Sequence, residues 1–202
     1  MKTKLLLFIG TLLLASCQTE DLEPQQVIDQ NEEVALSNVL KSFNNYTPMG
    51  NMPQASKNVN ANQVTKDIIF RYSRGTFGVV VNPEACGDFF DPPLQFVIEG
   101  DGIATHIGRF TVENFACVNP QGEILSNMYG FITSANGDVI HTVVVNSYPD
   151  EDNPPNVYYE YMIIGGSPGG RFEVASGSIT MYGIIDYATG TFELEGWGEI
   201  TY

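Results

Sequence analysis

From Val64 to Tyr202 the apolar residues of this chain recur at every second position, and no connection between the apolar segments is long enough for a crossover helix. Period two sends successive side chains to opposite faces of an extended chain, so a sheet with one buried face satisfies the pattern. The segments KDIIFRYSRGTFGVVVN, LQFVIEGDGIATHIGRFTVENFACV, EILSNMYGFITSA, DVIHTVVVNSY, NVYYEYMIIGG, GSITMYGIIDY and GTFELEGWGEITY carry it, each rich in β-branched and aromatic residues and bounded by turn formers. Glycine kinks are expected to divide the first two, giving about eight strands. In SANGDV, Asn136 and Gly137 suit the positive φ values of a tight hairpin, and YATGT marks another. Short connections make the strands antiparallel, and closure removes the exposed edges of such a sheet. The expected fold is all-β, an eight-stranded antiparallel closed barrel.

The residues before Val64 read differently. Lys2 and Lys4 precede the run Leu5 to Leu14, which is apolar except for Gly10 and Thr11. A membrane-spanning helix needs roughly 18 apolar residues, so this shorter run suits a secretory signal. It ends in LASC, which resembles the lipobox of bacterial lipoproteins. That resemblance implies a signal peptide over 1–16 and lipidation of Cys17, with several acyl chains anchoring the protein to a membrane where one chain would hold it only marginally. The acids Glu20, Asp21 and Glu23 that follow are similar to a signal that sends some Gram-negative lipoproteins to the outward face of the outer membrane; a solvated spacer is the alternative. In EPQQVIDQNEEVALSNVLKSF, Leu36, Val39, Leu40 and Phe43 share one helical face, with acids toward the start, so an amphipathic helix is expected there. The stretch rich in Asn, Pro and Gly after it has the composition of a linker. The expected organisation is a signal peptide over 1–16, a tether over 17–63 and a barrel over 64–202.

Charge narrows the partners. The full chain has 9 basic and 24 acidic residues, a formal net charge of -15, and cleavage before Cys17 removes two lysines and no acid. Nucleic acid and anionic lipid surfaces, which call for basic patches, are therefore not expected partners. With Cys17 lipidated, Cys86 and Cys117 remain as an even pair in a compartment where disulfides persist, and a disulfide between them is expected. Neither cysteine has a second ligand at the close spacing of zinc sites, so no metal and no other cofactor is called for.

Candidate site residues come from strand parity. Counting alternate positions puts Ile98, Gly100, Gly102, Ala104, His106, Gly108, Phe110 and Val112 on one face, so His106 points inward with apolar neighbours, as a hydrogen-bonded core histidine or as part of a cavity. Glu160 shares a face with Met162 and Ile164, which makes an inward carboxylate the second candidate. His106, Phe110 and Glu160 are the residues expected to line a ligand cavity, and His106 with Glu160 would form an acid–base pair worth testing, although no residue is assigned a catalytic role. His141, alternating with Val139, Val143 and Val145, reads as structural. Ser167 in GGSPG matches a nucleophile-elbow pattern only formally, because both histidines precede it and the sheet is antiparallel. The acidic loop with Asp150, Glu151 and Asp152 lacks the spacing and glycine of an EF-hand and reads as a solvated turn.

GDGIATHIGRFTVE, followed by GGSPGGRFEVASGSI and a final Gly-rich strand, resembles the calycin-like barrel shared by allene oxide cyclases and dirigent proteins, over about Val64 to Tyr202. Gly165, Gly166, Arg171, Phe172, Ala175 and Gly177 follow that family's pattern, while Pro168 and an extra glycine depart from it within the loop. The resemblance implies a barrel with an interior cavity and transfers no catalytic residue. The expected protein is an outer-membrane lipoprotein, facing outward, whose barrel binds a small apolar ligand or a partner protein. The alternatives are a cavity enzyme of isomerase or cyclase type and an integral outer-membrane barrel, the latter suggested by the alternation of Phe192, Leu194, Gly196, Gly198, Ile200 and Tyr202.

Overall fold

The computed structural model describes residues 63–86, 92–121 and 123–202. The expected signal peptide, the Cys17 anchor, the amphipathic helix and the linker up to residue 62 lie outside the described residues. Eight strands follow one another around a closed barrel: β1 (Thr65–Val81), β2 (Leu94–Ala104), β3 (Gly108–Val118), β4 (Tyr129–Ser134), β5 (Val139–Pro149), β6 (Asn156–Gly166), β7 (Ser176–Asp186) and β8 (Thr191–Thr201). Each pairs antiparallel with its chain neighbour, and β8 pairs with β1 from Thr65↔Thr201 to Thr76↔Thr191, so no edge is left open.

The alternation in the sequence becomes inside and outside. On β8, Phe192, Leu194, Gly196 and Ile200 are buried, while Glu193, Glu195, Trp197 and Glu199 are exposed. On β3 the buried set is Phe110, Asn114, Ala116 and Val118. On β8 the apolar set faces the lumen and the charged set faces outward, the reverse of the alternation on a membrane-spanning strand.

One expectation about strand division needs correction. β1 is a single strand of 17 residues that no glycine divides; a bulge between Phe70 and Ser73 shifts its register against both neighbours instead. The extra residue moves the inward positions from Ile68 and Phe70 to Ser73, and bends the long strand around the barrel. The second segment breaks at the loop Thr105–His106–Ile107, closed by the pair Ala104↔Gly108. In the β4–β5 turn only Gly137 has positive φ, at 90°. Asn136 acts there through its side chain, which accepts from the Ser134 hydroxyl and donates to Asp138 at 2.7 Å. The result is a three-residue loop with glycine in the left-handed position.

The barrel has two different ends. At one, the chain enters beside its exit, with Val64 N donating to Tyr202 O at 3.0 Å and Tyr202 N to Val64 O at 3.2 Å. The β2–β3, β4–β5 and β6–β7 connections close this termini end. Ile68, Ile140, Ile163 and Ile200 are wholly buried near it, and the β6–β7 loop folds Phe172 and Ala175 into the same core. Arg171 caps the packing: its guanidinium lies over the rings of Phe172 and Tyr202 at 4.9 and 4.5 Å, and Nη1 donates to His106 O at 2.9 Å. The residues around Phe172 thus form a structural seal.

The opposite end carries the β1–β2, β3–β4, β5–β6 and β7–β8 connections. After β1 comes a single helical turn, α1 (Pro83–Cys86), which Asn82 caps by accepting from Ala85 N at 3.1 Å, with Pro83 at the first helical position, where its missing N–H costs nothing. Cys86 of α1 is bonded to Cys117 on the outward side of β3, across a sequence separation of 31, which forms the expected disulfide. Ile124 and Met128 cover part of this disulfide end, but inward residues of β1 and β2 here, Phe77, Val79, Leu94 and Ile98, stay only partly buried.

Candidate functional site in the barrel interior

Between the sealed core and the disulfide end the inward side chains leave a cavity of about 50 Å³, lined by β1 through β8. That is room for roughly one or two waters. The lining includes the rings of Phe70, Phe96, Phe110, Tyr159, Tyr161 and Phe192, and among the described residues no lining side chain carries a charge. Eight strands give a lumen that side chains nearly fill, and what remains here is narrow, apolar and neutral.

Glycine shapes this space at two positions. The ring of Phe110 lies across Gly102, its register partner on β2, where a Cβ would overlap the ring, and meets Phe70 edge-on with ring centroids 5.6 Å apart. A side chain on Gly130 of β4 would collide with both Asn114 Oδ1 and Thr142 Oγ1, so the glycine leaves room for two polar groups side by side in the lining. Asn114 Oδ1 and Ser147 Oγ are the buried side-chain atoms without a hydrogen-bond partner among the described residues. Burial pushes the Tyr159 phenol well up, with the neighbouring Tyr187 and Tyr161 adding to it, and burial alone pushes Tyr161 up. Both phenols are therefore neutral at physiological pH. Tyr187, in the β7–β8 turn, packs edge-on against Phe77 at 6.1 Å and so stands over the partly open side of the disulfide end.

The structure separates the residues that parity had grouped. Phe110 lines the cavity. His106 does not: it is exposed at the apex of the β2–β3 loop with a φ of 64°. A three-residue loop preserves parity, so Ala104 and Gly108 both keep inward register while the residue between them leaves the sheet. Glu160 is also outside the lumen, because Tyr159, Tyr161 and Ile163 are the buried set on β6. Its carboxylate accepts from Tyr148 Oη at 3.2 Å and Asn146 Nδ2 at 3.4 Å on the outer face. No His–Glu acid–base pair forms, and neither residue lines the cavity.

His141 faces outward, edge-on to Phe131 at 5.1 Å. Ser167 sits in the turn after β6. The Asp150 carboxylate is occupied by Asn153 at 3.1 Å and the Tyr182 hydroxyl at 2.9 Å, hydrogen bonds that hold its pKa down. The cavity residues that sequence reading missed include Ser73, Asn114, Thr142, Tyr159 and Tyr161. Asn114 and Thr142 had a visible signal, a polar residue on the inward parity of an otherwise apolar strand; Ser73 had none, because the bulge precedes it.

No protein-family model and no curated protein matches the chain. Among solved structures it is similar to a pterocarpan synthase dirigent protein, at 13% identity and a TM-score of 0.47, over 76% of this chain and 98% of that one. The likeness is one of fold, and no residue role is carried across.

Proposed function

We propose that this protein is a lipoprotein anchored through Cys17 at the outer membrane, whose barrel interior takes one small, neutral, largely apolar ligand. The observation that carries the reading is the uncharged, aromatic lining with space left inside it. A charged ligand would lose its hydration there with no opposite charge to meet it. Binding is favoured over catalysis because the two acid–base candidates, His106 and Glu160, lie outside the lumen and the phenols within it are neutral. Charged residues on the outward face of β8 favour a water-exposed barrel over an integral one. One observation favours a second role in protein contact: Ile69 and Trp197, register partners on the outer face of β1 and β8, are 54% and 50% exposed.

The test uses the full chain, expressed with its own leader in a Gram-negative host. It should fractionate with membranes, and Cys17→Ala should release it. Organic extraction of the purified protein followed by mass spectrometry should recover a neutral apolar compound in near-equimolar amount and chemically unchanged. A transformed compound would instead support the enzyme reading. An empty interior after exposure to lipid extract would remove the ligand reading.

A further inference from the structure

We infer that Asn114 is the polar anchor of the cavity and that the ligand presents a hydroxyl group to it from an otherwise apolar body. The inference rests on the ligand-binding reading above and names the class of ligand. Asn114 is 4% exposed and lies on β3 between the inward residues Val112 and Ala116, where an apolar side chain would complete the lining. Its Oδ1 finds no hydrogen-bond partner among the described residues. A buried carboxamide left in this state lowers stability, so its presence needs a compensating role. Gly130 provides the setting, since any side chain there would overlap both Asn114 Oδ1 and Thr142 Oγ1 and close the space beside them. Ser73, also buried, adds a third uncharged polar group to the lining.

The chemistry of these groups selects the ligand. A carboxylate or phosphate would meet an acceptor oxygen and neutral hydroxyls with no cation to balance it. A hydroxyl donates to Oδ1 and also accepts, so it satisfies the carboxamide in either orientation and can accept from Thr142 or Ser73 as well. A water can serve the same groups until the ligand displaces it. The body is held to compact size: an engineered cavity that admits benzene measures roughly 150 Å³, so a ring has to displace side chains at the partly open disulfide end.

The test compares phenol with toluene, which differ by a hydroxyl in place of a methyl, on the full chain and on Asn114→Leu, with affinities read by ligand-observed NMR titration. Taking the ratio of phenol to toluene affinity in each protein cancels the different hydration of the two probes. The ratio should fall about tenfold in Asn114→Leu while toluene affinity is retained, which also shows that the variant is folded. Thr142→Val should lower it by a smaller factor, about threefold. An unchanged ratio with both probes still bound overturns the anchor and leaves the apolar cavity standing. Failure of both probes to bind the wild-type chain overturns the anchor and the cavity reading together.

Discussion

At the end where the chain enters and leaves the barrel, Phe172 is 1% exposed, Arg171 lies over two rings, and the backbones of Val64 and Tyr202 are paired. At the opposite end, residues of the same chemical type, Phe77, Val79, Leu94 and Ile98, stay partly buried, and a covalent bond between α1 and β3 holds the first connection. Both ends are built from one alternating pattern, yet packing seals one and a disulfide staples the other. The difference lies in the connections. The β6–β7 loop returns a large apolar side chain into the lumen, whereas the β1–β2 connection is tied to the outer face of β3. A meander barrel with a uniform wall thus acquires polarity from its loops, and here the cavity lies on the stapled side.

The largest effect should come from testing that asymmetry by truncation. Phe172→Ala is expected to cost about 3–5 kcal/mol in urea unfolding, the usual range for removing a buried aromatic. Phe77→Ala, at a partly exposed position, should cost about 1 kcal/mol because less apolar area returns to water. Equal costs would break the comparison. Next comes the staple: closing a loop with a sequence separation of 31 contributes about 3–4 kcal/mol on the chain-entropy model, so the double variant Cys86→Ser/Cys117→Ser should unfold at correspondingly lower urea. Amide exchange should rise around Asn82 and Leu94 more than around Ile163, sharpening the distinction between the ends.

The smallest effect is alkaline. Tyr159 and Tyr161 have pKa values raised in the folded protein, chiefly by burial. In the unfolded chain they ionise near the ordinary phenol value of about 10. As pH rises past that value the unfolded chain loses protons that the folded one keeps, so their contribution is complete below it and declines above it. Urea midpoints measured from pH 8 to 11 should fall over the upper part of that window, and Tyr161→Phe should flatten the decline. A decline unchanged by this variant would place its source elsewhere.

Much of the wall was legible in the chain. Alternation on β8 separates Phe192 and Leu194 from Glu193 and Glu195, and the Cys86–Cys117 bond followed from an even pair of cysteines. Parity failed where the chain left the sheet or where both faces of a strand were apolar. His106 sits at the centre of a loop whose odd length conserves the count, so the count passes through a residue that is not in a strand. On β6 Met162 and Ile164 face outward, and their apolar character made the Glu160 face look like an inner one. The bulge after Phe70 left no local signal, since Arg71 and Tyr72 fit a regular strand as well as a bulged one. The α1 turn was not expected, although Asn82-Pro83, a capping residue followed by proline, carried a signal for it.

Pressurising crystals of the protein with xenon probes whether the apolar lumen is sealed at the termini end and accessible from the disulfide end. Xenon density is expected in the cavity among Ile98, Tyr159, Met181 and Phe192. Density around Phe172 in place of that site, or a lumen that takes up no xenon at all, would contradict it.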